Sequence, residues 1–203
     1  MKNLLFLFFF LCCIDLIGQN INATIHLRDG STLEGIVAYT NNLTYAEYLY
    51  FKKDKNSKKQ KLNYKKVDKF FIHEDGENKE YQFKILKHKK PKIFRVVKRG
   101  LVSLYYRVIT SGVETNLGSQ NIHTHLSISK FKEYYISKED SHLIEQITFP
   151  TSFAREKKFR DKVISYFKDC HTLTNKIKKE EFKMDDIIQV VNYYIYDCQL
   201  NKY

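Results

Sequence analysis

Two hydropathy periods divide this chain, and the change between them at Pro150 limits the folds open to it. Before Pro150, apolar residues alternate with polar ones, the two-residue period of strands with one buried face. Ile25 and Leu27 alternate with His26 and Arg28, Leu33 with Val37, and Tyr81 with Phe83 and Ile85. After Pro150, Phe159, Val163, Phe167 and Cys170 recur at helical spacing, and Leu173 and Ile177 prolong that apolar face. Ile187, Val190, Val191, Tyr194 and Cys198 form a second stripe, with Asp185 and Asp186 in its first turn, where negative charge suits the helix dipole. Thr151 or Ser152 is placed to cap the first helix. Strands followed by helices, not alternating with them, predict an α+β protein. Its antiparallel β-rich body spans 19–149, and a helical C-terminal segment over 150–203 docks on it by the Phe/Ile/Val/Tyr stripe.

The body divides further on its turn signals. Five strands are expected over 21–74, with Asp29-Gly30 closing the first hairpin, because Gly accepts the positive φ of a tight turn. Gly35 interrupts the return strand at a point where sharp bending or close backbone approach is needed. This suggests a small barrel over 19–76 and a second sheet over 77–149. The second sheet contains a long strand from Leu101 to Ile109, a polar loop from Ser111 to Gln120, and a hairpin of Phe131–Ser137 with Leu143–Thr148. A helix is the alternative for the last of these.

Residues 1–18 stand apart. Lys2 precedes an unbroken apolar run from Leu4 to Ile14, Asp15 ends it, and Gly18 offers a small residue before Gln19. That is the layout of a secretory signal peptide. The run of eleven residues reaches only about 16 Å as a helix, short of the roughly 30 Å of hydrocarbon in a bilayer. No membrane span is therefore expected once the signal is removed. A lipoprotein signal is the rival reading, although Leu11 and Cys12 before Cys13 fit it poorly.

Export changes the meaning of the four cysteines. Cys12 and Cys13 leave with the signal, and the remaining pair, Cys170 and Cys198, is expected to form a disulfide. It also bears on the net charge of +12, which favours anionic partners. Only six of the 35 basic residues are Arg, the side chain suited to bidentate phosphate contacts. A Lys excess beside abundant Ile, Asn, Tyr and Phe is also the residue usage of an AT-rich genome. Two segments concentrate the charge: Lys52, Lys53, Lys55, Lys58, Lys59 and Lys61, and then Lys87, Lys89, Lys90 and Lys92 within an acid-free run from Lys84 to Arg99. They read either as an anion-binding face with Tyr and Phe nearby or as a solvated hairpin tip and Lys-protected sheet edges.

Catalytic signatures do not emerge. The chain has no P-loop, GxSxG, GxGxxG, CxxC or HExxH. His123 and His125 share one side of a strand, but no third metal ligand accompanies them. Adjacent acids (Glu139-Asp140, Glu180-Glu181, Asp185-Asp186) suit turns and helix starts better than a cleft. Asn22-Ala23-Thr24 and Asn42-Leu43-Thr44 are sequons that matter only in a eukaryotic secretory route. Nothing calls for a metal or a cofactor.

Two resemblances accompany these residues. Ile25, Leu27, Asp29, Gly30, Leu33, Gly35 and Val37 resemble the first hairpin of Sm-like and SH3-like small barrels; the second, RNA-contacting motif of Sm-like proteins has no counterpart here. More broadly, the chain is similar to exported proteins of the Bacteroidota without an assigned activity. The likeness rests on Asp29 to Gly35, Gly100 to Tyr105, Tyr134 to Ile136, Phe159 to Cys170 and Asn192 to Cys198. It implies fold and compartment, and carries over no catalytic residue. The expected role is that of an exported, non-enzymatic envelope or surface protein that binds or scaffolds another envelope component. The alternatives are a binder of an anionic polymer (nucleic acid or acidic glycan) through the Lys-rich segments, and an enzyme of unrecognised type.

Overall fold

Among the described residues, ten strands precede three short helices, and the strands form one continuous hydrogen-bonded ladder. The computed structural model describes residues 20–38, 43, 46–114, 126–139 and 141–199. The expected signal, Cys12, Cys13, Asn42, His123 and His125 lie outside the described residues. The strands are β1 (Asn20–Leu27), β2 (Thr32–Ala38), β3 (Tyr48–Lys52), β4 (Gln60–Asn63), β5 (Val67–Glu74), β6 (Glu77–Leu86), β7 (Lys92–Lys98), β8 (Val102–Glu114), β9 (Leu126–Lys138) and β10 (Leu143–Gln146). The helices are α1 (Arg155–Tyr166), α2 (His171–Lys178) and α3 (Ile187–Tyr193); a 3₁₀ turn at Met184–Asp186 leads into α3, and a π-helical turn at Tyr194–Gln199 follows it. The protein is thus α+β, with a β-rich body followed by helices.

Strand order is β10-β9-β8-β7-β6-β5-β1-β2-β3-β4. The first five strands surround a core that includes Ile25, Val37, Leu49, Phe51, Leu62, Val67, Phe70 and Ile72. Gly30 has φ 86° in the β1–β2 turn, and Gly35 lies against β3, where an added Cβ would sit only 2.3 Å from the Lys52 carbonyl oxygen. Both glycines do what the sequence pattern asks of them.

The second half closes on itself. β6 pairs with β7, β7 with β8, β8 with β9 and β9 with β10, all antiparallel; β10 then returns to β6 in parallel, with Leu143 opposite Ile85 and Ile144 opposite Leu86. This ring encloses Phe94, Tyr105, Tyr135 and Ile144. β6 is the seam between the two halves. Tyr81 and Phe83 join the first core, while Gln82 and Lys84, on the opposite face, are buried as well. Four consecutive buried side chains follow from coverage on both faces, as in strands that are sandwiched on each side.

The helices cover the other face of β8 and β9. Phe159, Val163, Leu173, Ile177, Ile187, Val190 and Val191 pack with Val102, Leu104, Ile136 and Ile147 in a third core. Every residue of the two predicted stripes is buried. Cys170, at the start of α2, is bonded to Cys198 in the final turn, with Cα atoms 5.7 Å apart.

Three local expectations are corrected. Ala154, not Thr151 or Ser152, precedes α1, and no side chain caps that end. Ser111 to Glu114 continue β8, paired with Leu126 to Ser129 of β9; a partner strand supplies the hydrogen bonds that polar, Gly-containing residues do not secure alone. The helical alternative for Leu143–Thr148 gives way to β10, since its backbone is used on both sides.

Candidate functional site: a lysine–tyrosine face

The β3–β4 hairpin sorts its side chains by the alternation of strands. Leu49 and Phe51 point into the core, so Tyr48 and Tyr50 take the outer face, where Tyr50 is 40 % exposed. Lys61 stands opposite Tyr50 in the ladder, yet its Nζ lies 3.6 Å from the centroid of the Tyr48 ring, two residues along. Lys59 repeats the move, with its Nζ 4.3 Å from the Tyr50 ring. Two ammonium groups therefore rest on two phenol rings. Residues two apart on a strand are about 7 Å apart, which sets the spacing of this ladder.

Ring contact differs from ion pairing in one respect that matters here. A cation over an exposed aromatic face gains about 0.5–1 kcal/mol, enough to bias its position, while keeping its full charge. Lys79, Lys157 and Lys176 lie 2.6, 2.7 and 2.6 Å from the carboxylates of Glu74, Asp161 and Glu181 and are neutralised. Lys59 and Lys61 are placed by rings, with no carboxylate partner among the described residues.

The second Lys-rich segment reaches the same end of β3. Lys90 and Lys92 lie 3.6 and 3.1 Å from the carboxylate of Glu47, the residue immediately before Tyr48. The hydrogen bond from Lys92, more than the charge of Lys90, holds the Glu47 carboxyl below its ordinary range. One carboxylate thus gathers two cations beside the Tyr48 end of the ladder. Lys61 and the Lys90/Lys92 pair are thus tied to adjacent residues of the chain, Tyr48 and Glu47, from two turns distant in sequence.

The other predicted lysines are placed differently. Lys52 closes β3 and bonds the Lys55 carbonyl at 3.5 Å. Lys53, Lys55 and Lys58 are exposed at the hairpin tip. Asp54 organises that tip, accepting from the Asn56 backbone at 2.9 Å and the Ser57 hydroxyl at 2.6 Å; the Ser57 bond is the main reason its carboxyl titrates low. Lys87 and Lys89 are exposed in the β6–β7 turn. Lys84, the first residue of the acid-free run, leaves that surface and is buried inside the ring.

The ring interior holds polar residues that periodicity alone did not single out. Glu133 accepts from Arg107 Nε at 2.8 Å, from the Tyr135 hydroxyl at 2.6 Å and from Gln146 Nε2 at 3.2 Å. Burial, and then the bond to Glu133, push the Tyr135 phenol far above its ordinary range, so it remains a proton donor. Through these bonds Glu133 ties together β8, β9 and β10. The signal was present in the sequence as Glu133, Tyr135 and Ser137 alternating with Lys132, Tyr134 and Ile136. Either face could have been turned inward, because each carries an aromatic residue.

Among the described residues, no group of three or more His, Cys, Asp or Glu is arranged to hold a metal ion, and no helix is long and apolar enough to cross a membrane. No family model, curated protein or solved structure matches this chain.

Proposed function

We propose that this is an exported, non-enzymatic envelope protein that holds an acidic glycan of the envelope on its lysine–tyrosine face. The carrying observation is that Lys59 and Lys61 rest on Tyr50 and Tyr48 with no carboxylate partner among the described residues, while Lys90 and Lys92 are held to Glu47, the residue before Tyr48. A row of retained charges about 7 Å apart suits a polymer with regularly repeating acidic groups. The scarcity of Arg favours a glycan over a nucleic acid. Support for export comes from the N-terminal leader pattern and from the Cys170–Cys198 disulfide, a bond that persists in oxidising compartments.

Two experiments test this reading. Fractionation of the producing cell should recover the protein outside the cytoplasm, with a mass lacking residues 1–18; intact protein in the cytosol would refute export. Immobilised sulfated or uronic-acid polysaccharide should retain the protein at low salt and release the Lys59→Gln/Lys61→Gln variant markedly earlier. Equal retention would remove the face from the account, and preferential binding to single-stranded DNA would identify nucleic acid as the partner instead.

A further inference from the structure

A groove of about 380 Å³ runs between α1 and the β9–β10 edge, away from the lysine–tyrosine face. Its walls carry Lys138, Lys162 and Lys168, and its hydroxyl groups come from Ser141, Ser165 and Tyr166, while the buried Ser137 hydroxyl donates to the Glu139 carbonyl at 3.2 Å. Glu145 is the one carboxylate among the described lining residues, and it is taken by Lys162 at 2.5 Å. Lys138 is placed as Lys59 and Lys61 are, with its Nζ 5.6 Å from the Tyr166 ring and its charge intact.

The groove has a fourth cation behind its wall. Lys84 is only 2 % exposed, and its Nζ donates to the Ser141 carbonyl at 2.8 Å while lying 4.8 Å from the Tyr105 ring. No carboxylate among the described residues pairs with it. Ser141 therefore separates a buried, uncompensated ammonium from the open groove by the thickness of one residue. Burying a charge without a counter-charge is costly, and a nearby anion recovers part of that cost. In a water-poor setting the attraction also reaches further than it would at the surface. The Tyr105 hydroxyl is likewise fully buried, with no hydrogen-bond partner among the described residues. Burial is the main cause of the rise at the Tyr166 phenol, with smaller contributions from Glu145, Tyr194 and Tyr105.

From this arrangement we infer that the α1/β9–β10 groove is a binding site for a phosphate monoester on a small polyhydroxylated body, a sugar phosphate in size and chemistry. Lys138 and Lys168 flank the dianionic head, Lys84 supplies attraction from behind Ser141, and the serine hydroxyls face the polar body. Four cations against one carboxylate leave the excess positive charge that a dianion requires. The site does not depend on the lysine–tyrosine face, so either can fail alone.

The test is an amide-resolved NMR titration of the purified protein with glucose 1-phosphate, inorganic phosphate and glucose. Glucose 1-phosphate should give saturable shifts at Ser141, Ser165 and Tyr166, with a midpoint of about 1 mM or lower, the range of weak single-site ligands. Inorganic phosphate should bind at least threefold more weakly, and glucose should leave these amides unmoved. Lys84→Met, which fills the same volume without charge, should weaken glucose 1-phosphate about tenfold, as expected when one buried charge at close range is lost. Should that variant not fold, Lys138→Gln/Lys168→Gln, confined to the rim, should show a comparable loss. Failure of glucose 1-phosphate to saturate by about 20 mM would overturn the site, the affinity being then no better than non-specific contact. So would equal binding of inorganic phosphate, matching shifts with glucose, or unchanged affinity in the rim variant.

Discussion

Replacing Gly35 by Ala tests the close packing of the first five strands more sharply than any other single change. A methyl at this position would lie 2.3 Å from the Lys52 carbonyl oxygen, 2.7 Å from Phe51 Cε2 and 2.9 Å from the Lys53 carbonyl oxygen. Carbon–oxygen contacts are ordinarily no closer than about 3.3 Å, so β3 must retreat by about 1 Å. Two of the three obstacles are backbone, which cannot rotate away. The retreat strains the pairing of Ile36 with Lys52 and of Val37 with Phe51, the register that joins β2 to β3. Overpacking costs about 1–3 kcal/mol and weakened ladder bonds about 1 kcal/mol more, so the loss should be about 3 kcal/mol. For a chain of this size that corresponds to a fall in Tm of about 6–12 °C. Gly30→Ala is the control, because Gly30 has φ 86° and no atom within 4 Å of the added carbon. Its cost should be conformational only, about 1–2 kcal/mol, and smaller still for Gly30→Asn. Thermal unfolding followed by circular dichroism reads all three. A Gly35→Ala melt within about 2 °C of the parent would refute the packing argument, being under 1 kcal/mol; so would a Gly30→Ala penalty as large as that at Gly35.

Three further outcomes follow from other parts of the molecule. Cys170→Ala/Cys198→Ala opens a bond with a sequence separation of 28 and should cost about 3–4 kcal/mol by the loop-entropy relation, read by denaturant titration; intact mass with and without reductant should differ by two hydrogen atoms per molecule in the parent alone. Glu133→Gln leaves Arg107 without its carboxylate in a mostly buried setting and should cost about 3 kcal/mol, whereas a loss under about 1 kcal/mol would show the cluster to be solvated. Glu47→Gln should strengthen polyanion binding at neutral pH by releasing Lys90 and Lys92. Because the Glu47 carboxyl is held below its ordinary 4.5, its contact with Lys92 persists above that pH and is lost as pH falls through the lowered value. The parent should therefore gain affinity only in acid, and Glu47→Gln should show no such rise.

Much of this architecture is visible in the order of residues because the two periods are clean. The stripe from Phe159 to Cys170 and the one from Ile187 to Cys198 both meet β8 and β9, and the spacing alone brings the two cysteines to buried faces. Gly35 was readable as a point of close approach because no other residue type permits one. The ring was not readable. The parallel return of β10 onto β6 joins residues some 58 positions apart, Leu143 and Ile85, and four-residue strands carry too little alternation to announce two partners. Lys84 illustrates the cost of that gap: in sequence it begins a basic run, yet closure of the ring places it among the least exposed residues. The lysine–tyrosine face was half legible. The lysines were evident, but the tie of Lys90 and Lys92 to the start of β3 depends on Glu47, an isolated acid with no pattern around it. Nor does spacing reveal that Lys59 and Lys61 reach diagonally to rings two residues along.

The claim that placed but unneutralised lysines bind an acidic polymer is tested most directly by salt dependence. Affinity for a sulfated polysaccharide, measured from low to physiological salt, should fall linearly on logarithmic axes as counterions are released. Lys59→Gln/Lys61→Gln should make that slope shallower by about 1–2, one counterion for each lost contact, while the lost ring contacts lower the melting temperature by only about 2–8 °C. A slope identical to that of the parent, with affinity also unchanged, would show that these two ammonium groups meet only water and their tyrosines.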